Sequence, residues 1–436
     1  MKTLDSSKQD IDLPALLKRD SVDVTSKVAQ VLADVRKNGD QAVCEYTRKF
    51  DNVDFGETPR LMKRDELENY CRDAALPALN KAQIMAIETA VANVSWCAEK
   101  SIPKSWSEIA PAGQRVGETF TPFDRVACYV PQGSFPLVST AIHTAAIANA
   151  CGVNEIVMVT SPSAGELNPA VAYAAMLSGV TEIVFVGGAQ GIASVAYGTE
   201  TIKRVDFICG PGNQYVAEAK RQLFGTVGID MVAGPSEVFV IADESADPYN
   251  VACDLVAQAE HGSGFEASVL LTDSQQLIDN VGVELEKIKD SIINNPGFLQ
   301  VWDKTLFLIL TQNIDQAIEL TNSCAPEHVE VQTQNANIDS QKVTRAGAVF
   351  VGTFSAEPLG DFVAGPSHVL PTNASARFAS GLSSASFFRR TSILDINQES
   401  YEKLAPHAFE FAQMEGLVGH GLSSVARIPK QSTPNQ

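Results

Sequence analysis

Short β-rich runs recur through the middle of this chain, each separated from the next by a stretch long and apolar enough to be a helix. Val126–Val130, Glu155–Thr160, Glu182–Val186 and Val205–Cys209 are spaced by Ala-rich segments such as 138–151 and 168–178. The pattern restarts at Glu237–Ala242 and continues through Ser268–Thr272, Leu306–Leu310, His328–Gln332 and Ala348–Val351. Such βα alternation predicts an α/β fold in which parallel sheets are covered by helices. Two Rossmann-like lobes are the economical division: residues 125–235 and 236–375, after an N-terminal helical region and lead-in over 1–124 and before a C-terminal tail over 376–436. Ala-Gly-Pro-Ser-Glu-Val at 233–238 nearly repeats Ala-Gly-Pro-Ser-His-Val at 364–369. The two are either the trace of a duplication or a pair of similar tight turns.

Outside the lobes, Val24, Val28, Val31, Leu32 and Val35 recur at three- and four-residue spacing, which predicts an amphipathic helix over 21–38 ended by Gly39. A second helical stretch covers about 65–100. The Pro- and Gly-bearing segment 103–124 has no helical period and leads into the main fold. Beyond Ser375 the chain turns polar and helical, and residues 398–436 read as a small tail domain or an arm reaching toward another subunit.

A chain of 436 residues that is 45% apolar can bury a large core. Its net charge of −19 excludes an electrostatic grip on phosphate backbones, so nucleic acid is not an expected partner. None of the eight cysteines stands in a Cys-x-x-Cys pair, which removes zinc ribbons and thioredoxin-like motifs and suits a reduced compartment. The N-terminus is polar, and no apolar run approaches the roughly 18 residues of a membrane span. These features are those of a soluble, cytoplasmic protein with no membrane partner.

Histidine is scarce, and four of the six sit beside carboxylates or amides: Gln258-Ala-Glu-His261, Glu327-His328, Asp361 followed by His368, and Glu415 before His420. Gln258 and His261 share one helical face by their i, i+3 spacing, which suits a common metal; a histidine complementing a helix C-terminus explains His261 as well. With Asp361 and His420 they make a nitrogen and oxygen ligand set of a kind zinc accepts, carrying a single formal negative charge. Glu327 and His328 stand at the entrance of a strand, where side chains can face the crevice at a sheet's end. Adjacent strand residues point to opposite faces, so the pair serves one site only if the turn before it breaks that alternation. A surface histidine beside a turn is the plainer reading.

Gly187-Gly188-Ala189-Gln190-Gly191 and Gly210-Pro211-Gly212-Asn213 each follow a strand and open a helix, an arrangement that lets backbone amides approach a phosphate. Neither matches Gly-x-Gly-x-x-Gly, and tight βα turns without a ligand explain them equally. Tyr129-Val-Pro-Gln-Gly133 closes the first strand of the main fold and either supports a nucleotide base or forms a turn.

Taken in order from about residue 22 to 426, these segments resemble the histidinol dehydrogenase family. The matches are Asp230-Met-Val-Ala-Gly-Pro-Ser-Glu-Val238, Gln258-Ala-Glu-His261, Ala325-Pro-Glu-His-Val-Glu330, Gly360-Asp-Phe-Val-Ala-Gly-Pro-Ser-His-Val-Leu-Pro-Thr372 and Glu415-Gly-Leu-x-x-His420. The resemblance implies an NAD-dependent, four-electron alcohol dehydrogenase of histidine biosynthesis. It would oxidise L-histidinol to L-histidine through L-histidinal with two NAD and one water. It implies one Zn2+ per subunit on Gln258, His261, Asp361 and His420, and substrate contacts from Ser236, Gln258, His261, His328, Asp361, His368, Glu415 and His420. Tyr129, Gln190 and Asn213 fall where the family contacts NAD, so the first lobe would be the NAD side and the second would carry the zinc and the catalytic residues. Glu327 and His328 would be the catalytic pair: Glu327 to activate water, His328 to accept protons near neutral pH. The tail bearing Glu415 and His420 would complete the site of the partner subunit in a homodimer.

Two positions depart from the family pattern. Gln132 stands where a glycine is usual, adding a side chain where backbone approach is needed. His143 stands where an apolar methionine is common, either as a satisfied core histidine or as a residue that recasts the substrate pocket. The alternative function is therefore a paralogous zinc- and NAD-dependent dehydrogenase for another small hydroxylated substrate, such as a sulfonated polyol. A metal-stabilised binding protein without turnover would not need Glu327 and His328, and both are present.

Overall fold

A computed structural model describes residues 1–6, 8, 11–18, 23–132, 136–162, 167–261, 263–292 and 294–428. Its first strands are β1 (Lys2–Asp5), β2 (Leu61–Lys63), β3 (Trp106–Ile109), β4 (Arg115–Pro122), β5 (Arg125–Tyr129), β6 (Glu155–Thr160), β7 (Glu182–Phe185), β8 (Phe207–Cys209) and β9 (Gly228–Ile229). There follow β10 (Glu237–Ala242), β11 (Ala267–Thr272), β12 (Leu306–Leu310), β13 (His328–Gln332), β14 (Ala348–Val351) and β15 (Phe388–Asp395). One six-stranded sheet has the order β2-β7-β6-β5-β8-β9 and is parallel except where β2 meets β7. The other, β1-β12-β11-β10-β13-β14, is parallel throughout.

Both sheets are wound alike. In each, the first strand of the series is central, the next two lie to one side, the last two lie to the other, and a strand from the N-terminal residues closes the far edge. That repeated winding favours duplication of an α/β unit. The two Ala-Gly-Pro-Ser segments do not mark it, because the first leads into β10 while the second follows β14, opens no strand and holds Gly365 at φ 121°.

Parallel strands covered on both faces must be apolar on both, and β10 obeys. Val238, Val240 and Ala242 pack with Leu270, Leu306 and the helix Pro248–Ala259. Phe239 and Ile241 enter a second core with Val269, Val329 and Val331. Because side chains alternate along a strand, Val329 and Val331 send His328, Glu330 and Gln332 of β13 to the opposite face. The whole strand is nonetheless buried, so one of its faces is both polar and dry.

The N-terminal helix runs Thr25–Asp51 and packs Val28, Val31, Leu32 and Val35 against the first-lobe sheet. Gly39 breaks it rather than ending it. With φ 52° and ψ −132°, Gly39 leaves the helix for one residue, and the Glu200 carboxylate accepts the Asp40 N–H at 2.8 Å, capping the restart.

Residues 102–122 and 388 onward form a second compact unit. The segment without a helical period, expected as a lead-in, supplies β3 and β4, which join β15 in an antiparallel sheet. The helices Gln398–Met414 and Val418–Val425 complete this unit. No described helix of the chain is long and apolar enough to cross a membrane.

Candidate active site

Glu327 and His328 meet on one side of the chain. Ala325 adopts a left-handed conformation at φ 51° and Pro326 follows, so Glu327 sits in the turn while β13 begins only at His328. Strand alternation therefore does not separate them. Glu327 Oε2 accepts the Glu237 N–H at 3.1 Å and lies 3.7 Å from His328 Nδ1. The same Nδ1 is 3.2 Å from the Glu237 carbonyl and 3.6 Å from Glu357 Oε1, while Nε2 is 3.5 Å from Asp361 Oδ1. Since Val238 pairs with His328, this cluster and Ser236 lie at the amino ends of β10 and β13. Open α/β sheets usually bind ligands at the carboxyl ends, whereas this cluster lies at the opposite edge of the second lobe.

Burial opposes a charge on His328, but Glu327, Asp361 and Glu357 outweigh it and push the imidazole up to about 10. Burial raises Glu327 to about 7 against the pull of His328, and raises Glu357 to about 8. Asp361 is also buried, yet its bond to His328 and the nearby His368 and His261 hold it below the usual carboxylate range. Three carboxyl groups thus surround one histidine, and the imidazole is the last of the group to give up its proton.

Among the described residues, His328, Glu357 and Asp361 offer atoms within 4.8 Å of one another, close enough to share an ion. Of these, only Asp361 belongs to the ligand set expected from sequence. The structure also bears on the others. Gln258 is fully buried at the end of the helix Pro248–Ala259, and neither its Oε1 nor its Nε2 has a protein partner. Leaving a buried amide unmatched costs on the order of 1–3 kcal/mol for each group, and both polar atoms of this side chain are open to a ligand. His261 places Nδ1 3.1 Å from the Gln258 carbonyl, which can only accept; the proton is thus on Nδ1 and Nε2 presents a lone pair. An amide oxygen, an imidazole nitrogen and a carboxylate suit a divalent transition metal.

His368 donates Nδ1–H to the Asp361 carbonyl at 2.9 Å, and its Nε2 faces the Thr140 hydroxyl at 3.3 Å. Burial lowers its pKa. His143 stacks on it and is itself held neutral, lowered by burial to about 3.

Tyr129, Gln190 and Asn213 lie at or just beyond the carboxyl ends of β5, β7 and β8, the edge where a doubly wound sheet binds nucleotides. The Tyr129 hydroxyl accepts the Gly188 N–H at 3.0 Å, Gln190 Nε2 is 3.4 Å from Asp51 Oδ2, and Asn213 caps the helix Gln214–Leu223. The turn before Asn213 is clamped. The buried pair Lys220 and Asp230 holds both polar groups of Gly210, with Lys220 donating to its carbonyl at 3.0 Å and Asp230 accepting its N–H at 2.8 Å. A side chain on Gly210 would also strike the Tyr129 backbone.

Glu415 and His420 are exposed residues of the second unit, at the end of one of its helices and within the other. Gln132 forms an isolated bridge to Pro136, and Gly133 lies outside the described residues. Sequence reasoning missed Glu357, whose signal was its i, i+4 spacing to Asp361 on the helix Glu357–Phe362. It also missed Asp254, Glu330 and Gln332, a buried hydrogen-bonded group behind His328 whose alternating polar pattern reads as a solvent face.

The histidinol dehydrogenase family model matches residues 17–428. A histidinol dehydrogenase of Zymomonas mobilis is 40% identical over 98% of this chain and 99% of its own length, and one of Agrobacterium fabrum is 42% identical over 94% of each. The crystal structure of histidinol dehydrogenase from Elizabethkingia anophelis superposes with a TM-score of 0.90, at 32% identity over 98% of both chains.

Proposed function

The chain belongs to the histidinol dehydrogenase family, and from that premise we propose that it oxidises L-histidinol to L-histidine through L-histidinal, with two NAD and one water. The observation that carries the reading is the joint placement of Glu327 and His328 at 3.7 Å, with His328 turned toward Asp361.

His328 is the base of both oxidations. It takes the hydroxyl proton of the alcohol in the first and of the hydrated aldehyde in the second. Between the two oxidations Glu327, raised toward 7, takes a proton from the water that adds to the aldehyde, and His328 returns its first proton to the carbonyl oxygen, which leaves it free to accept the second. A base must start unprotonated, whereas the surrounding carboxylates favour imidazolium. Charge taken up at Asp361 would weaken one part of that pull.

Gln258, His261 and Asp361 would hold zinc, with His420 of a partner subunit, while Tyr129, Gln190 and Asn213 would meet NAD. When bound, zinc orients the substrate's nitrogens and NAD takes up the electrons of each oxidation. Ser236, His368 and a partner's Glu415 would contact the substrate beside the ligand residues, which makes the enzyme a homodimer with shared sites. The exposed positions of Glu415 and His420 support that arrangement. No observation favours the paralogous reading: a sulfonated substrate would meet Asp361, held in its charged form, beside the carboxyl groups of Glu327 and Glu357.

Limiting L-histidinol supplied with excess NAD tests the assignment. Two NADH per histidinol, abolished by a chelator, are expected; none from zinc-loaded protein would overturn it.

A further inference from the structure

His143 is wholly buried on a π-helical turn, Ile142–Ala146, a helix form that is rare and often found beside functional sites. Its ring lies flat against that of His368, with centroids 4.5 Å apart and planes 8° from parallel. Its Nε2 is 3.4 Å from the Phe362 carbonyl, which can only accept, so this nitrogen carries the proton. Its own carbonyl accepts the Ser367 hydroxyl at 3.1 Å. His143 therefore grips the segment 362–368 at both ends, and that segment links Asp361 to His368.

The same contacts define what His368 can do. Its Nδ1 gives a proton to the Asp361 carbonyl, so its Nε2 bears a lone pair, met here by the Thr140 hydroxyl. Asp361 and Thr140 fix the edges of the ring. His143 fixes its face. A ring with plane and tautomer both set is an acceptor of fixed direction, suited, where a substrate takes the place of the Thr140 hydroxyl, to an N–H that lies in the plane of a flat heterocycle.

The geometry points to His143 as a specificity-determining positioning residue: by stacking on His368 it selects substrates that carry a planar N–H heterocycle over aliphatic amino alcohols. The inference rests on the reading of His368 as a substrate contact. His143 acts through that ring and does not itself touch the substrate. An aliphatic side chain of similar size would fill the space, but it would let His368 tilt and would leave the Phe362 carbonyl without its donor.

The test compares His143→Leu with His143→Phe in the full-length, zinc-loaded protein, using L-histidinol, L-leucinol and NAD. Loss of the flat face should raise KM for L-histidinol about five- to tenfold, the worth of one stacked pair. Calorimetric Kd for L-histidine should rise with it. KM for NAD and zinc content should stay within twofold, the preference for L-histidinol over L-leucinol should narrow, and the Phe variant should recover most of the loss. If the Leu variant does not fold, His143→Asn, which keeps a donor for Phe362 without a ring, takes its place. Unchanged KM for L-histidinol, an equal rise in KM for NAD, or a Phe variant no better than the ringless one would each overturn the inference. Unvaried protein that makes no NADH from L-histidinol would instead overturn the functional reading, and this inference with it.

Discussion

His328 Nε2 and Asp361 Oδ1 face each other across 3.5 Å, joining the candidate base to a carboxylate of the candidate metal set. The contact makes the charge state of one depend on what the other holds. With Glu327, Asp361 and Glu357 all near it, the imidazole keeps its proton, and Asp361 is one of the groups that hold it there.

His328→Asn should lower turnover about 10²- to 10⁴-fold, the usual contribution of a positioned base. Zinc content should not change, because His328 is not among the proposed ligands. The pair of measurements, steady-state turnover and metal per subunit, separates the roles. Turnover near that of the unvaried protein would remove His328 as the base.

Gln258 allows a prediction with two opposite signs. Its side chain is buried with both polar atoms unmatched by protein. Gln258→Met removes that cost and should stabilise the zinc-free protein by about 1–2 kcal/mol, while weakening zinc binding tenfold or more. Thermal melting without metal and competition against a chelator read the two effects. A variant less stable without zinc, or one that binds zinc as tightly, would show that Gln258 is a core residue and no ligand. His261→Asn should lower zinc content alone.

The strands of both lobes were legible because parallel strands buried on two faces must be written as apolar runs. Glu155–Thr160, Glu237–Ala242, Leu306–Leu310 and Ala348–Val351 occur at the ends expected from sequence. β13 was legible as a strand for the same reason of local pattern, yet the burial of its polar residues was not. His-Val-Glu-Val-Gln alternates like a strand with one wet face, whereas Asp254 and Glu357 seal that face from across the fold. No local pattern reports a partner that far along the chain. Gly39 shows another limit: its glycine did signal a break, but the carboxylate of Glu200 that restarts the helix lies 160 residues away. The antiparallel sheet of the second unit was unreadable for a related reason, since β4 finds β15 only after the whole two-lobed fold has intervened. For the candidate site, the local clusters pointed to Gln258, His261, Glu327 and His328, while no such cluster singled out Glu357, which the fold places beside His328.

The buried acids behind His328 predict an unusual pH dependence of stability. Burial and the neighbouring Asp254 hold Glu330 well above its ordinary value, and burial raises Asp254 as well. A carboxyl whose folded pKa is raised binds its proton more tightly when folded. Its stabilising contribution is therefore full below the unfolded pKa of about 4.3 and is lost as pH rises toward the folded value. Glu330→Gln removes the titration while keeping an oxygen for the Glu357 N–H, which Glu330 now accepts at 2.9 Å. The variant should melt a few degrees above the unvaried protein at pH 8, on the order of 1–3 kcal/mol, and the gap should close near pH 5. A gap that is constant with pH would mean that Glu330 stays ionised in the fold.

The exposed tail residues bear on whether a site is shared between subunits. Glu327 and His328 belong to the first compact unit, whereas Glu415 and His420 belong to the second. If each site is completed by a neighbouring subunit, a dimer of His420→Ala with Glu327→Gln contains one site that carries both defects and one that carries neither. Either variant alone should be inactive, and random mixing after reversible dissociation should return up to about a quarter of full activity: half the dimers are mixed, and each has one intact site of two. A single-chain site would distribute the defects differently, with every site in every dimer carrying one of them. Differently tagged variants, purified as verified mixed dimers, decide the matter; mixed dimers as inactive as their parents would place His420 in the site of its own chain.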